Sequence, residues 1–251
     1  MTIESLPYIR ELSLNRDKTE DLDSYPFTIP AIQQLDKLKF GKEVTFFVGE
    51  NGSGKSTLLE AIAVAMNFNA EGGSRNFNFG TRESHSKLHE YLRISKSPLK
   101  PRDGFFLRAE SYFNVATHIE DLDKEPSYGS KIIDSYGSKS LHEQSHGESF
   151  FSLFVHRFGG NGLYLLDEPE AALSPTRQLA VLSRMKQLVE NSSQFVIATH
   201  SPILLAYPGA TIYQIGENGF TEIEYQKTEV YNITKTFLDN PERMLNELFR
   251  E

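Results

Sequence analysis

The sequence predicts an α/β fold in which a largely parallel sheet is flanked by helices, and three observations carry that expectation. Residues 49–57 read Gly49-Glu50-Asn51-Gly52-Ser53-Gly54-Lys55-Ser56-Thr57, the pattern G-x-x-x-x-G-K followed by Ser or Thr, set between an apolar run at 43–48 and a run of good helix formers from Lys55 onward. Leu163 to Leu166 and Phe195 to Thr199 are continuous apolar runs, as expected of strands buried on both faces of a sheet. Between those runs lies a helical stretch opened by Ser174-Pro175, an N-cap followed by proline at the first helical position, so strand, helix and strand alternate.

The glycine-rich loop carries the chemistry. A chain of phosphates needs many short N–H contacts, and a backbone free of Cβ atoms can wrap closely enough to supply them. Gly49, Gly52 and Gly54 give that freedom, with Glu50, Asn51 and Ser53 completing the loop. A helix starting at Lys55 points the positive end of its dipole at the bound anion. Lys55 is then placed for the β- and γ-phosphates, and the Ser56 hydroxyl, next to Thr57, for Mg²⁺. The loop is a site for a nucleoside triphosphate.

Along the chain, residues 1–48 read as a strand-rich start with Thr28 to Ile32 and 43–48 as candidate strands, and the helix after the loop runs to about Asn67. Residues 69–104 are rich in Gly, Ser, Asn and charge, with Pro98 and Pro101, and predict loops and short helices. Gly104 to Glu110 reads as a strand, 120–145 as polar and turn-prone, and a helix is expected from Glu148 to Val155. The helix opened by Ser174 carries Leu179, Leu182, Leu188 and Val189 as its candidate core face. Asn240 to Phe249 reads as a short amphipathic helix expected to pack on its own domain, with partner docking as the alternative.

Length and composition fit one α/β domain over 1–251, with a variable segment at about 69–104 and a smaller subdomain at about 105–160. No apolar run approaches the roughly 20 residues of a membrane span, and Met1-Thr2-Ile3-Glu4-Ser5 lacks a signal-peptide pattern; a cytoplasmic protein is expected. With no cysteine, disulfides, thiolate chemistry and cysteine-based zinc sites are excluded. The net charge of −8 is the wrong sign for a surface that tracks nucleic acid throughout. From Ser74 to Arg108, however, eight basic residues stand against three acidic ones, either a solvated insertion or a partner or nucleic-acid surface.

A second group of residues narrows the chemistry. The run Leu163 to Leu166 ends in Asp167-Glu168, at the edge where open α/β sheets bind ligands. Asp167 can hold Mg²⁺ through its water shell, while Glu168 can align or deprotonate a water for in-line attack on the γ-phosphate. The next apolar run ends in Thr199-His200-Ser201, which puts His200 within reach of the γ-phosphate. A carboxylate set for water favours hydrolysis over transfer.

With these residues in view, the chain resembles the ABC-type ATPase superfamily of P-loop NTPases, found in ABC transporters and in DNA-repair and chromosome-organising ATPases of the SMC type. The matching parts are a Walker A loop (Gly49 to Thr57), a Walker B strand with its added Glu (Leu163 to Glu168), a D-loop-like Ala171 to Ser174 and the switch His200. The resemblance implies a mixed sheet of that superfamily's type with a small helical subdomain, ATP and Mg²⁺ as cofactors, and ATP hydrolysis. It also implies a signature before the Walker B strand, where Ser145-His146-Gly147-Glu148 stands. Ser145 and Gly147 match the superfamily's serine and second glycine, whereas His146 and Glu148 depart from its glycine and glutamine. Ser145 and Glu148 also form the capping pattern S-x-x-E. In the superfamily this signature serves nucleotide bound to the opposite subunit, which implies a homodimer with two ATP molecules between the subunits. Glu110 stands where a Gln-loop residue that helps hold Mg²⁺ is expected, and either Tyr25 or Phe27 is a candidate for stacking on adenine.

The 90 positions between Lys55 and Ser145 leave room for a modest subdomain and none for long coiled-coil arms. The closest overall resemblance is to small stand-alone bacterial ATPases with these motifs. Three tasks stay open: a switch or motor on nucleic acid or a soluble effector, as in repair or anti-phage systems; the motor of a transporter with a separate membrane subunit; and a non-hydrolysing, nucleotide-gated dimerisation module.

Overall fold

The computed structural model describes residues 7–18, 23–41, 43–75, 86–124, 131–137, 143 and 145–250. The chain opens with β1 (Ile9–Leu14), the short helix α1 (Pro30–Gln33), β2 (Lys37–Lys39), β3 (Val44–Val48) and the phosphate-loop helix α2 (Lys55–Ala65). After β4 (Gly73–Ser74) come α3 (Leu88–Tyr91), β5 (Leu92–Lys96), β6 (Asp103–Arg108), α4 (Tyr112–Lys124) and α5 (His146–Ser152). The second half runs through β7 (Gly162–Asp167), α6 (Pro175–Glu190), β8 (Gln194–Ala198), β9 (Thr211–Gly216), β10 (Gly219–Glu222), α7 (Glu229–Asp239) and α8 (Pro241–Leu248).

The architecture is a mixed α/β one. Seven strands form a sheet in the order β10-β9-β3-β8-β7-β6-β4, parallel through its five central strands and antiparallel at both edges. Alternation between two cores explains why β3, β7 and β8 are buried along their whole length. Val44, Phe46 and Val48 of β3, with Tyr164 and Leu166 of β7, face one core; Phe47 with Leu163 and Leu165 faces the other. On the second face α2 contributes Leu58, Leu59 and Ile62; on the first, α4, α5 and α6 contribute Val115, Phe150 and Met185. Each such side chain contributes about 1.5–3 kcal/mol by leaving water. A second sheet, β2-β1-β5, is antiparallel and lies against the α2 side of the core through Ile9, Leu12 and Leu38. The buried Gln194 side chain ties the two sheets: its Oε1 accepts from the Ile9 N–H and its Nε2 donates to the Ile9 and Gly41 carbonyls, at 2.9, 2.9 and 3.0 Å.

Several expectations are corrected. Thr28 to Ile32 is no strand, because Pro30 at the first helical position fixes φ for α1 and removes a ladder donor. The helix after the loop ends at Ala65, two residues early, with Asn67 left-handed at φ 64°. The stretch 69–104 holds the strands β4 and β5 as well as the helix α3, while 76–85 lie outside the described residues. Within 120–145, α4 continues to Lys124 and a 3₁₀ turn, Ile132–Tyr136, buries Tyr136 completely; 125–130, 138–142 and 144 lie outside the described residues. The helix expected over 148–155 begins at His146 and passes into a π-turn, Leu153–Arg157. The face of α6 is rotated: Gln178, Val181, Met185 and Leu188 are buried, whereas Leu179 is 59% exposed. Finally, α8 does not bury an apolar face on the domain, and Leu248 and Phe249 are 66% and 76% exposed.

Candidate active site

Strand register assembles the site. Phe47 of β3 pairs with Ala198 of β8, Ala198 with Asp167 of β7, and Asp167 with Arg108 of β6, one row across four parallel strands. The loops leaving the ends of these strands therefore meet, although they come from positions 49, 109, 168 and 199 of the sequence.

The loop after β3 needs its glycines. Gly49 has φ 156°, and a Cβ there would lie 2.6 Å from the Ile215 carbonyl oxygen; Gly54 caps α2 at φ 99° against Ile29. Lys55 is buried, and its Nζ donates to the Gly49 and Glu50 carbonyls, both at 2.9 Å, which leaves one of its three donors for a phosphate oxygen. Burial lowers its pKa, while Glu168, Asp167 and Glu170 act to raise it. The Ser53 hydroxyl is buried with no hydrogen-bond partner among the described residues, whereas Asn51 and Gly52 are exposed at the loop's crest. A cavity of about 500 Å³ opens beside this crest, lined by Gly52, Ser53, Gly216 and Glu229 among others.

Ser56 on the first turn of α2 donates to Asp167 Oδ1 at 3.0 Å. Burial pushes the Asp167 carboxyl up to about 6; the Ser56 bond and Arg108 oppose that shift, and Glu168 and Glu110 add to it. Among the described residues no cluster of three or more His, Asp or Glu side chains is gathered for a metal. What is present is a hydroxyl and a carboxylate oxygen side by side, a set that fits Mg²⁺, which keeps waters and phosphate oxygens as its other ligands.

Glu168 follows in the left-handed conformation at φ 48°, and its N–H donates to the Ala198 carbonyl at 2.9 Å, so its side chain departs from that of Asp167. Its Oε1 lies 3.6 Å from Nε2 of His200, beyond hydrogen-bond reach, and that nitrogen has no partner among the described residues. Glu110 is 89% exposed in the turn after β6, 3.7 Å from Arg108.

Ser145 and Gly147 sit elsewhere. Ser145 caps α5 in a full capping box: the Glu148 N–H donates to its Oγ at 3.3 Å, and its own N–H and hydroxyl donate to Glu148 Oε2 at 3.0 and 2.8 Å. Gly147 packs against the turn that follows Glu168, where a Cβ would stand 2.7 Å from the Ala172 carbonyl oxygen and 2.5 Å from Arg177. Ser145 is exposed. Of the two aromatic candidates, Tyr25 is 64% exposed and its hydroxyl is 3.2 Å from that of Thr57, while Phe27 is buried edge-on against Tyr91.

Two neighbours of the site escaped sequence reasoning. Arg108 bonds Glu60 at 2.7 Å and points its Nε at Asp167 Oδ2 from 3.9 Å. Glu170 accepts the His200 N–H at 2.5 Å. Neither sits at a spacing that marks a site; a strand-end arginine and a loop glutamate look alike on any surface.

Residues 24–146 match a family model described as an AAA domain, and residues 98–206 match a second AAA-domain model whose description names the AbiEii toxin and a Type IV TA system. Among curated proteins the chain is 26% identical over 172 residues to ABC transporter G family member STR2 of Medicago truncatula, covering 63% of this chain and 24% of that one. It is 25% identical over 221 residues to the energy-coupling factor transporter ATP-binding protein EcfA2 of Methanospirillum hungatei, covering 80% and 52%. A third relative is an uncharacterized ABC transporter ATP-binding protein of Haemophilus influenzae, 27% identical over 224 residues, covering 82% and 83%. The matched part thus spans about a quarter and a half of the first two relatives. Solved structures similar to the chain include the SMC head domain from Thermotoga maritima, with TM-score 0.44, 15% identity, and 86% and 99% of the two chains covered. Another is a nucleotide-free ATP-binding cassette from an ABC transporter, with TM-score 0.45, 16% identity, and 87% and 93% covered. The loop, the carboxylate strand and these matches together make the chain similar to the ABC-type P-loop ATPases.

Proposed function

We propose that the chain is an ATPase that works with Mg²⁺ as a nucleotide-sandwich homodimer, and that it serves as a switch or motor on nucleic acid or a soluble effector. Lys55 and the N–H groups of residues 49–57 hold the phosphates; Ser56 and Asp167, with Glu110 near the shell, hold Mg²⁺, which when bound neutralises charge on the β- and γ-phosphates. Glu168 orients and deprotonates the attacking water, and His200 reads the γ-phosphate. The Tyr25 ring stacks on adenine.

One observation carries the dimer: Ser145 is exposed, and Gly147 seats its helix on the Ala172 carbonyl, so signature and post-Glu168 turn share one outward surface. The Ser145 hydroxyl donates to Glu148 at 2.8 Å and Arg177 stands 3.7 Å from the same side chain, which holds the signature at this outer face, where a second subunit's nucleotide could meet it. ATP then contacts both subunits and favours the closed pair, and hydrolysis removes that differential binding.

The task is the finer step. The basic stretch of β5 and its flanks, with exposed Arg93, Lys96, Lys100 and Arg102, supports an acidic or nucleic-acid partner. The curated relatives named as transporter ATP-binding proteins favour a second reading, the motor of a transporter with a separate membrane subunit. No described helix is long and apolar enough to cross a membrane. Full-length Glu168→Gln, recovered from its native cell with Mg·ATP, separates the two readings: co-purified nucleic acid or soluble protein supports the first, and an integral membrane protein supports the second.

A further inference from the structure

Glu170 belongs neither to the phosphate loop nor to the Asp167–Glu168 pair, yet it is built into the site. After the left-handed Glu168, the 3₁₀ turn Pro169–Ala172 brings the Glu170 side chain back toward the end of β8. There Oε1 accepts the backbone N–H of His200 at 2.5 Å; burial pushes the carboxyl's pKa up, and the His200 N–H and the fully buried Thr199 hydroxyl oppose that shift. Thr199 is itself anchored: its N–H donates to the Phe47 carbonyl of β3 at 3.1 Å, and its Oγ1 accepts from the Ser201 N–H at 3.0 Å. Glu170 Oε2 is buried and has no partner among the described residues. A half-satisfied buried side chain is costly, so packing alone does not account for a polar acceptor here.

We infer that Glu170 is a positioning residue for hydrolysis: by accepting the His200 N–H it fixes the switch peptide, and with it the imidazole that stands 3.6 Å from Glu168. The inference rests on the proposed roles of Glu168 on the attacking water and of His200 on the γ-phosphate. The role needs an acceptor of the right reach and no negative charge. A displacement of about 1 Å at a catalytic group can cost a factor on the order of 10² in rate.

The test is steady-state ATP hydrolysis by the purified full chain, with kcat and KM read separately. Glu170→Ala is expected to lower kcat about tenfold or more while KM for ATP stays within about twofold. Glu170→Gln, which keeps the acceptor, restores the rate to within about threefold of the native chain. Should the alanine variant not fold, Glu170→Asp replaces it; its shorter side chain falls short of His200 and is expected to be as slow. Native kcat in the alanine or aspartate variant overturns the inference, as does a glutamine variant as slow as they are, or a KM that rises as kcat falls. Glu168→Gln run alongside separates the two levels. If it hydrolyses at the native rate, the Glu168 assignment fails; if it is slow while Glu170→Ala is fast, the positioning role alone fails.

Discussion

Ser56 Oγ and Asp167 Oδ1 lie 3.0 Å apart across 111 positions of sequence. The hydroxyl is on the first turn of the helix after β3 and the carboxylate at the end of β7, and the two strands are joined through β8. Strand order, rather than proximity in sequence, makes the pair proposed for Mg²⁺, and it sets Lys55, Glu168 and His200 around the same point.

Lys55 is the first place to test this arrangement. Its ammonium holds the loop through two carbonyls and presents its remaining donor to the phosphates. Lys55→Ala should weaken ATP binding by a factor on the order of 10² or more, measured by titration with a fluorescent ATP analogue. Native affinity in this variant counts against the loop as the phosphate site.

Asp167 makes a pH-dependent prediction. Burial raises its carboxyl to about 6, above its value in the unfolded chain, so the folded protein binds that proton more tightly. Without nucleotide or Mg²⁺, the stabilisation is complete below the unfolded pKa and is lost as pH rises through about 6, on the order of 3 kcal/mol at most. Asp167→Asn cannot ionise. Urea unfolding in a metal chelator should therefore show the native chain losing stability relative to Asp167→Asn between about pH 4 and 7. A difference that does not change with pH contradicts the assignment.

Burial separates the two aromatic candidates for adenine stacking. Tyr25 is open beside Thr57 and Phe27 is core. Tyr25→Ala should raise KM for ATP about five- to tenfold, the loss of one base-stacking contact, and leave folding stability nearly unchanged. Phe27→Ala should lower stability by roughly 3–5 kcal/mol. Unchanged KM in Tyr25→Ala removes that ring from the site.

How much of this was legible follows from how local each signal is. The phosphate loop, β7 with its two carboxylates, and β8 with His200 are contiguous motifs, and they lie where the residues say. The strand-rich start was legible, but the sheet β2-β1-β5 was not, because Ile9–Leu14 finds its partners at Lys37–Lys39 and Leu92–Lys96 and no local pattern encodes that pairing. Leu179 misled because both helix faces carry leucines and the sheet, which selects one face, is distant in sequence. Arg108 and Glu170 gain their meaning from neighbours more than 25 residues away.

The proposed dimer is tested at its signature. Ser145→Arg places a long cation where α5 would meet the second nucleotide. In size-exclusion chromatography with light scattering, the Glu168→Gln chain should dimerise with Mg·ATP, and the Ser145→Arg, Glu168→Gln double variant should stay monomeric. Dimerisation of the double variant would show that the contact lies elsewhere.

The central claim is that Glu168 hydrolyses ATP held by the loop at 49–57. The most direct measurement is single-turnover hydrolysis of Mg·ATP by Glu168→Gln beside the native chain, with ATP binding measured on the same samples. The expected result is a rate lower by a factor on the order of 10² or more with binding preserved. Near-native hydrolysis by Glu168→Gln would contradict the claim.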